Sequence, residues 1–123
     1  MAGGHSRARI LPAGGDATGA EIARALIEHV RAEPNIEVIE NTFVLDLLAR
    51  KGRVAGALAA LPGGGLQGIS APCTIMATGG CGQLYRETTN PEVATGDGLS
   101  IAHRAGAELE DLEFVQFHPT ALY

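Results

Sequence analysis

Residues 42–70 read TFVLDLLARKGRVAGALAALPGGGLQGIS. Three runs of branched or small apolar residues, Thr42–Leu48, Val54–Ala60 and Leu66–Ser70, are parted by two turn signals, Lys51-Gly52 and Pro62-Gly63-Gly64-Gly65. Glycine and proline punctuate a chain because they favour turn backbone and disfavour a continued ladder. Strands joined by such short turns pair with their sequence neighbours, so the stretch predicts an antiparallel meander. Just upstream, Ile36–Ile39 predicts a further short strand. Just downstream, Pro72 leads into Cys73–Ala77, an apolar run that stops at Thr78-Gly79-Gly80. Helical patterns flank these runs on both sides, which predicts an α/β arrangement with the meander attached to a parallel sheet.

The first helix lies between the polar, glycine-rich opening residues and Pro34-Asn35. Thr18 and Glu21 have the spacing of a capping box. Ile22, Leu26 and Val30 recur every fourth residue beside Ala23 and Ile27, with Glu21, Arg24, Glu28 and Arg31 opposite, and Pro34 ends the pattern. A polar loop, Gln83–Thr95, precedes a second helix that starts near Asp97, carries Leu99, Ile101, Ala102 and Ala105, and ends at Gly106. The last run, Leu112–His118, alternates as an extended segment, and Pro119 pushes His118 toward extended backbone.

Composition narrows the functional classes. At 123 residues the chain holds one domain or less, and with aromatics at 4% its interior must be built from aliphatics and alanine. Net charge is −5 without a basic run, which argues against a nucleic-acid-binding stripe. No apolar stretch reaches transmembrane length, and no signal peptide opens the sequence. Cys73 and Cys81 form no CxxC pair, so free thiols in a reducing cytoplasm are expected and a zinc site is not.

Three places can carry chemistry, and each has a plainer alternative. Ala77-Thr78-Gly79-Gly80 follows an apolar run, where small residues let a ligand approach free amides; the same residues also suit an ordinary tight turn. A full GxGxxG is absent. Asp97, in Thr95-Gly96-Asp97-Gly98, can cap the second helix or accept hydrogen bonds from cofactor hydroxyls. His118, in Gln116-Phe117-His118-Pro119-Thr120, can donate to a substrate carboxylate or serve as a structural histidine.

In order, Gly3-Gly4-His5-Ser6 with Arg9-Ile10-Leu11, Asp16-Ala17-Thr18-Gly19, Ala77-Thr78-Gly79-Gly80, Thr89-Asn90-Pro91, Thr95-Gly96-Asp97-Gly98 and Glu113–Thr120 resemble the flavoprotein family of L-aspartate oxidase and the flavoprotein subunits of succinate dehydrogenase and fumarate reductase. The resemblance runs from Gly3 to Tyr123. The opening block, the Thr-Thr-Asn-Pro run and Ala121-Leu122-Tyr123 look more like the aspartate oxidase branch. The sequence departs from that pattern at Ala2, where a glutamate is usual, and at Pro12, where a histidine is common.

The resemblance implies an α/β fold, an incomplete part of an FAD-binding Rossmann-like domain with an antiparallel meander. It implies that residues 1–123 form the middle and C-terminal part of that domain and end where a substrate-capping domain begins. By the same resemblance the cofactor is FAD, contacted by Ala77, Thr78, Gly79, Gly80 and Asp97, with Val44 near the adenine. His118 matches the family histidine that holds a carboxylate of a dicarboxylate substrate. Such enzymes transfer hydride to the flavin; for L-aspartate the product is iminoaspartate, which feeds NAD synthesis, and oxygen or fumarate accepts the electrons. A succinate dehydrogenase or fumarate reductase subunit and a truncated, non-catalytic remnant are the alternatives. The segment alone is expected to be inactive, because a buried flavin needs walls that 123 residues lack.

Overall fold

The structure, a computed structural model, describes residues 18–117. They divide into two units that meet between Glu40 and Asn41.

The first unit carries helix α1, Thr18–Ala32. Its charged side is self-paired: Arg24 donates to Glu21 through Nε at 2.8 Å and to Glu28 through Nη1 at 2.5 Å. His29 Nδ1 donates to the Ala25 carbonyl one turn back, at 2.7 Å. Proline at position 34 has no N–H with which to continue the ladder, and the Ile36 amide instead closes a turn on the Glu33 carbonyl at 3.1 Å. The apolar stripe is where the spacing put it, and Ile22, Leu26, Ile27 and Val30 are exposed. Ile36–Ile39 is not a strand. A strand is stabilised by a ladder partner, and among the described residues none pairs with this run.

The second unit holds the predicted meander. Strands β1 (Phe43–Arg50), β2 (Arg53–Ala60) and β3 (Leu66–Ser70) pair antiparallel in the order β1-β2-β3. Arg50 faces Arg53 across a turn in which Lys51 and Gly52 both have positive φ, 52° and 73°, the hairpin form whose twist matches the strands. The β1–β2 register shifts between Val44 and Asp46 and again between Leu47 and Ala49. At Gly56 the strands come close: a Cβ there would lie 1.9 Å from the Ile69 carbonyl oxygen, at a φ of 146°. The Ala71 amide gives the pairing one last bond, to the Ala55 carbonyl at 2.9 Å.

Beyond Pro72 the chain runs without a ladder. Cys73–Ala77 reads as a strand in the sequence, but no described segment pairs with it, and no parallel pair occurs among the described residues. A single 3-10 turn, Gly82–Leu84, follows, and then helix α2, Asp97–Arg104. Helix α2 ends as its sequence predicts: Gly106 has φ 95°, its amide bonds to the His103 carbonyl at 2.9 Å, and the Ala107 amide reaches back to Ala102 at 3.0 Å. Of the expected extended run Leu112–His118, the described part, residues 112–117, is not extended throughout. Asp111 takes φ 60° and its carbonyl accepts the Phe114 amide at 3.0 Å, so the chain bends at Leu112-Glu113. Among the described residues the buried apolar side chains are Ala59, Ala94 and Ile101, an interior of alanine and aliphatics as the composition implied. Among the described residues no helix is long and apolar enough to cross a membrane.

Candidate functional site

The glycine turn and the head of α2 lie against each other. Thr78 packs on Gly98 so closely that a Cβ on Gly98 would sit 1.8 Å from the threonine Oγ1. Two residues further along, the Gly80 carbonyl accepts the Gly96 amide at 3.2 Å. Cys81 then fills the space beside Gly96, where a Cβ would meet its own at 2.8 Å. Residues 78–81 and 96–98 thus approach in antiparallel fashion, and each contact requires a missing side chain on the helix side. The small residues of both runs were visible in the sequence; their shared surface was not.

Asp97 is not the N-cap. Gly96 takes that position with φ 79°, and Asp97 is the first helical residue. Its carboxylate accepts the Thr95 hydroxyl through Oδ2, while Oδ1 has no partner among the described residues. The side chain is exposed at a helix end whose first amides have no partner within the helix, a place that suits polar or anionic ligand groups. Beside it, Ala77, Thr78, Gly79 and Gly80 are exposed, and a Cβ built on Gly79 or Gly80 would meet nothing within 4 Å. This open backbone face next to a carboxylate fits a cofactor with hydroxyl donors and acceptor oxygens.

The other end of α2 is clamped to β1. Arg104 donates to Asp46 Oδ2 at 3.1 Å and to the Leu45 carbonyl at 2.8 Å. The register shift explains the second bond, since a bulge leaves a residue outside the ladder and frees its carbonyl. Hydrogen bonding from the Arg104 guanidinium holds the Asp46 carboxyl below its ordinary value, despite an opposing desolvation cost. Val44 adjoins this clamp. It is exposed on β1 opposite Ala59 and precedes Leu45, whose carbonyl accepts from Arg104.

His118 lies outside the described residues. Of the expected site, the structure brings Ala77–Gly80 and Asp97 together. Sequence reasoning missed the Arg104–Asp46 clamp, because a basic residue in a last helical turn is ordinary and nothing local links it to a residue 58 positions away. It foresaw the polar loop that carries the turn into α2 but not the bonds that fasten it. There Gln83 bonds the Ala94 carbonyl through its amide and the Asn90 carbonyl through Nε2, both at 2.9 Å.

The chain is 56% identical to L-aspartate oxidase of Streptomyces coelicolor, over 98% of its own length and 22% of that protein. It is 52% identical to the L-aspartate oxidase of Agrobacterium fabrum, over 96% of its length and again 22% of the relative. The chain therefore spans about a fifth of the length of these relatives. Among solved structures, the quinol fumarate reductase chain FrdA of E. coli matches with a TM-score of 0.84 and 42% identity, covering 87% of this chain and 18% of that one. Sdh1 of Mycobacterium smegmatis, solved in complex with UQ1, matches with a TM-score of 0.82 and 35% identity, over 95% of this chain and 22% of that one. The family described as FAD binding domain matches residues 1–123. With the whole sequence inside that match and an open glycine turn set against a carboxylate-bearing helix head, the chain belongs to the FAD-binding domain family, and its cofactor is FAD.

Proposed function

We propose that residues 1–123 are the middle and C-terminal part of the FAD-binding domain of a cytoplasmic flavoprotein that oxidises L-aspartate to iminoaspartate, a step toward NAD, and that they end where a substrate-capping domain begins. The observation that carries this reading is the packing of Thr78 on Gly98, with Gly80 bonded to Gly96, which makes the turn and Asp97 one surface. FAD, when bound, supplies the acceptor for the substrate hydride. The chain's own task is to hold and orient. The backbone of Ala77, Thr78, Gly79 and Gly80 offers close approach, Asp97 Oδ1 accepts from hydroxyl groups, and Val44 borders the adenine end. His118 donates to one carboxylate of the dicarboxylate, and oxygen or fumarate is the final acceptor. The 123 residues alone do not turn over substrate, since one glycine turn and one helix head leave a flavin open to water.

The likeness to FrdA favours a second reading, a succinate dehydrogenase or fumarate reductase flavoprotein. Both are tested in protein carrying this segment at the length of its curated relatives. Reduction of bound flavin by L-aspartate and not by succinate is the expected result, and the reverse overturns the first reading. In the same protein Asp97→Ala weakens FAD binding about tenfold or more, the scale of a lost charge-assisted hydrogen bond or two. His118→Ala weakens dicarboxylate binding and leaves the flavin in place. Unchanged FAD affinity in the first variant, or flavin loss in the second, removes the assigned role.

A further inference from the structure

We infer that Arg104 is a positioning residue for the adenosine half of FAD, because its guanidinium fixes the bulge of β1 beside Val44. The inference rests on the proposed place of Val44 at the adenine end. Val44 pairs with Ala59 and Asp46 with Leu58, so Leu45 is the extra residue of the strand. A bulge of this kind takes backbone groups out of the ladder and redirects the chain around it.

Side chains serve the backbone here. The Leu45 carbonyl accepts from Arg104 Nη2 at 2.8 Å, and Asp46 Oδ2 accepts from Arg104 Nε at 3.1 Å. Asp46 Oδ1 in turn accepts the Leu47 amide at 3.0 Å. One planar guanidinium thus grips two consecutive residues, and the carboxylate carries the grip to a third. A fork with fixed N–H directions sets angles as well as distances. The residue directly before the gripped pair is Val44. The restraint comes from a different element, since Arg104 is the last residue of α2 and Asp97 the first. A basic residue in a last helical turn can bond its own helix carbonyls; here it reaches across to β1, on which α2 packs. Both side chains are partly exposed, so the ion pair adds little to folding stability. Its consequence is geometric: the helix that presents Asp97 and the bulge beside Val44 are held in one register.

The test uses flavin-free protein at the length of its curated relatives, titrated with FAD and, separately, with FMN, which lacks the adenosine half. The native protein binds FAD more tightly than FMN. Arg104→Gln narrows that preference about three- to tenfold, less than the whole contribution of a hydrogen bond to a charged group, with FMN affinity and Tm nearly unchanged. Arg104→Lys keeps the charge without the fork and does not restore the preference. Equal loss of both flavins, an unchanged preference, or full restoration by Arg104→Lys overturns the inference. Val44→Trp, which fills the space beside the strand, tests the reading beneath it. If that variant keeps the native preference, Val44 does not border the adenine and the inference falls with the reading. If it narrows the preference while Arg104→Gln does not, the inference alone falls.

Discussion

Gly98 shows how one absent side chain can hold a site together. It is buried under Thr78, and the space a Cβ needs is already taken by the threonine Oγ1, Cβ and Cγ2. Gly98→Ala must therefore push the 77–80 turn off the helix head or move the helix. Overpacking of this kind costs about 1–3 kcal/mol, and here the strain falls on the backbone proposed to contact the cofactor. The expected outcome is a loss of FAD affinity of tenfold or more, read by flavin fluorescence in the longer protein. Thr78→Gly clears the occupied space, so the double variant should recover most of the loss, a coupling that a thermodynamic cycle measures. Equal losses in the single and double variants would show that the contact does not shape the site. At Asp97 the sequence left a helix cap and a cofactor ligand open. The position of Gly96 as N-cap removes the first alternative and leaves the carboxylate exposed.

At the scale of elements, legibility followed the range of the forces involved. The meander was readable because each strand pairs with its sequence neighbour across turns that glycine and proline announce. Helix α2 was readable from its ends, Asp97 to Gly106, for the same local reason. Ile36–Ile39 and Cys73–Ala77 carry strand-like residues, yet strand formation depends on a partner that the local sequence does not reveal. Leu112–His118 alternates correctly, but a left-handed Asp111 bends it, and alternation does not encode that bend. The clamp between α2 and β1 was equally hidden, and its pH dependence can be foreseen. The Asp46 carboxyl is depressed in the folded state by the Arg104 hydrogen bond. Its contribution is thus fully present above the unfolded value and fades as pH falls through the lowered folded value. With side chains 40% and 49% exposed, water screens the pair and the effect is small. In a carbon-detected titration, Arg104→Gln should raise the Asp46 midpoint toward the ordinary carboxylate value. A midpoint that does not move would mean the guanidinium leaves the carboxyl unperturbed.

Across the whole molecule the balance of buried and exposed apolar groups is unusual. Its buried apolar side chains among the described residues are two alanines and one isoleucine, while Ile75, Val93, Leu84 and Phe114 are each at least 73% exposed. In the first unit the entire stripe of α1 is bare as well. Burial of a large apolar side chain contributes about 1.5–3 kcal/mol, so this much exposed surface forfeits a large stabilisation unless other protein covers it. Soluble proteins seldom leave such patches open, and the outer edges of β1 and β3, which pair with no other strand among the described residues, add backbone groups ready to pair with another chain. The curated relatives supply a reason for the imbalance, since this sequence matches 22% of their length. A purified 123-residue chain should therefore bind a hydrophobic dye, self-associate as its concentration rises, and show no tight stoichiometric uptake of FAD. The same segment at the length of its relatives should lose the dye signal and take up flavin one to one. Light scattering, dye fluorescence and flavin titration on the two proteins separate the cases. A monodisperse short chain that ignores the dye and binds FAD tightly would mean that the turn and helix head hold the cofactor without further walls.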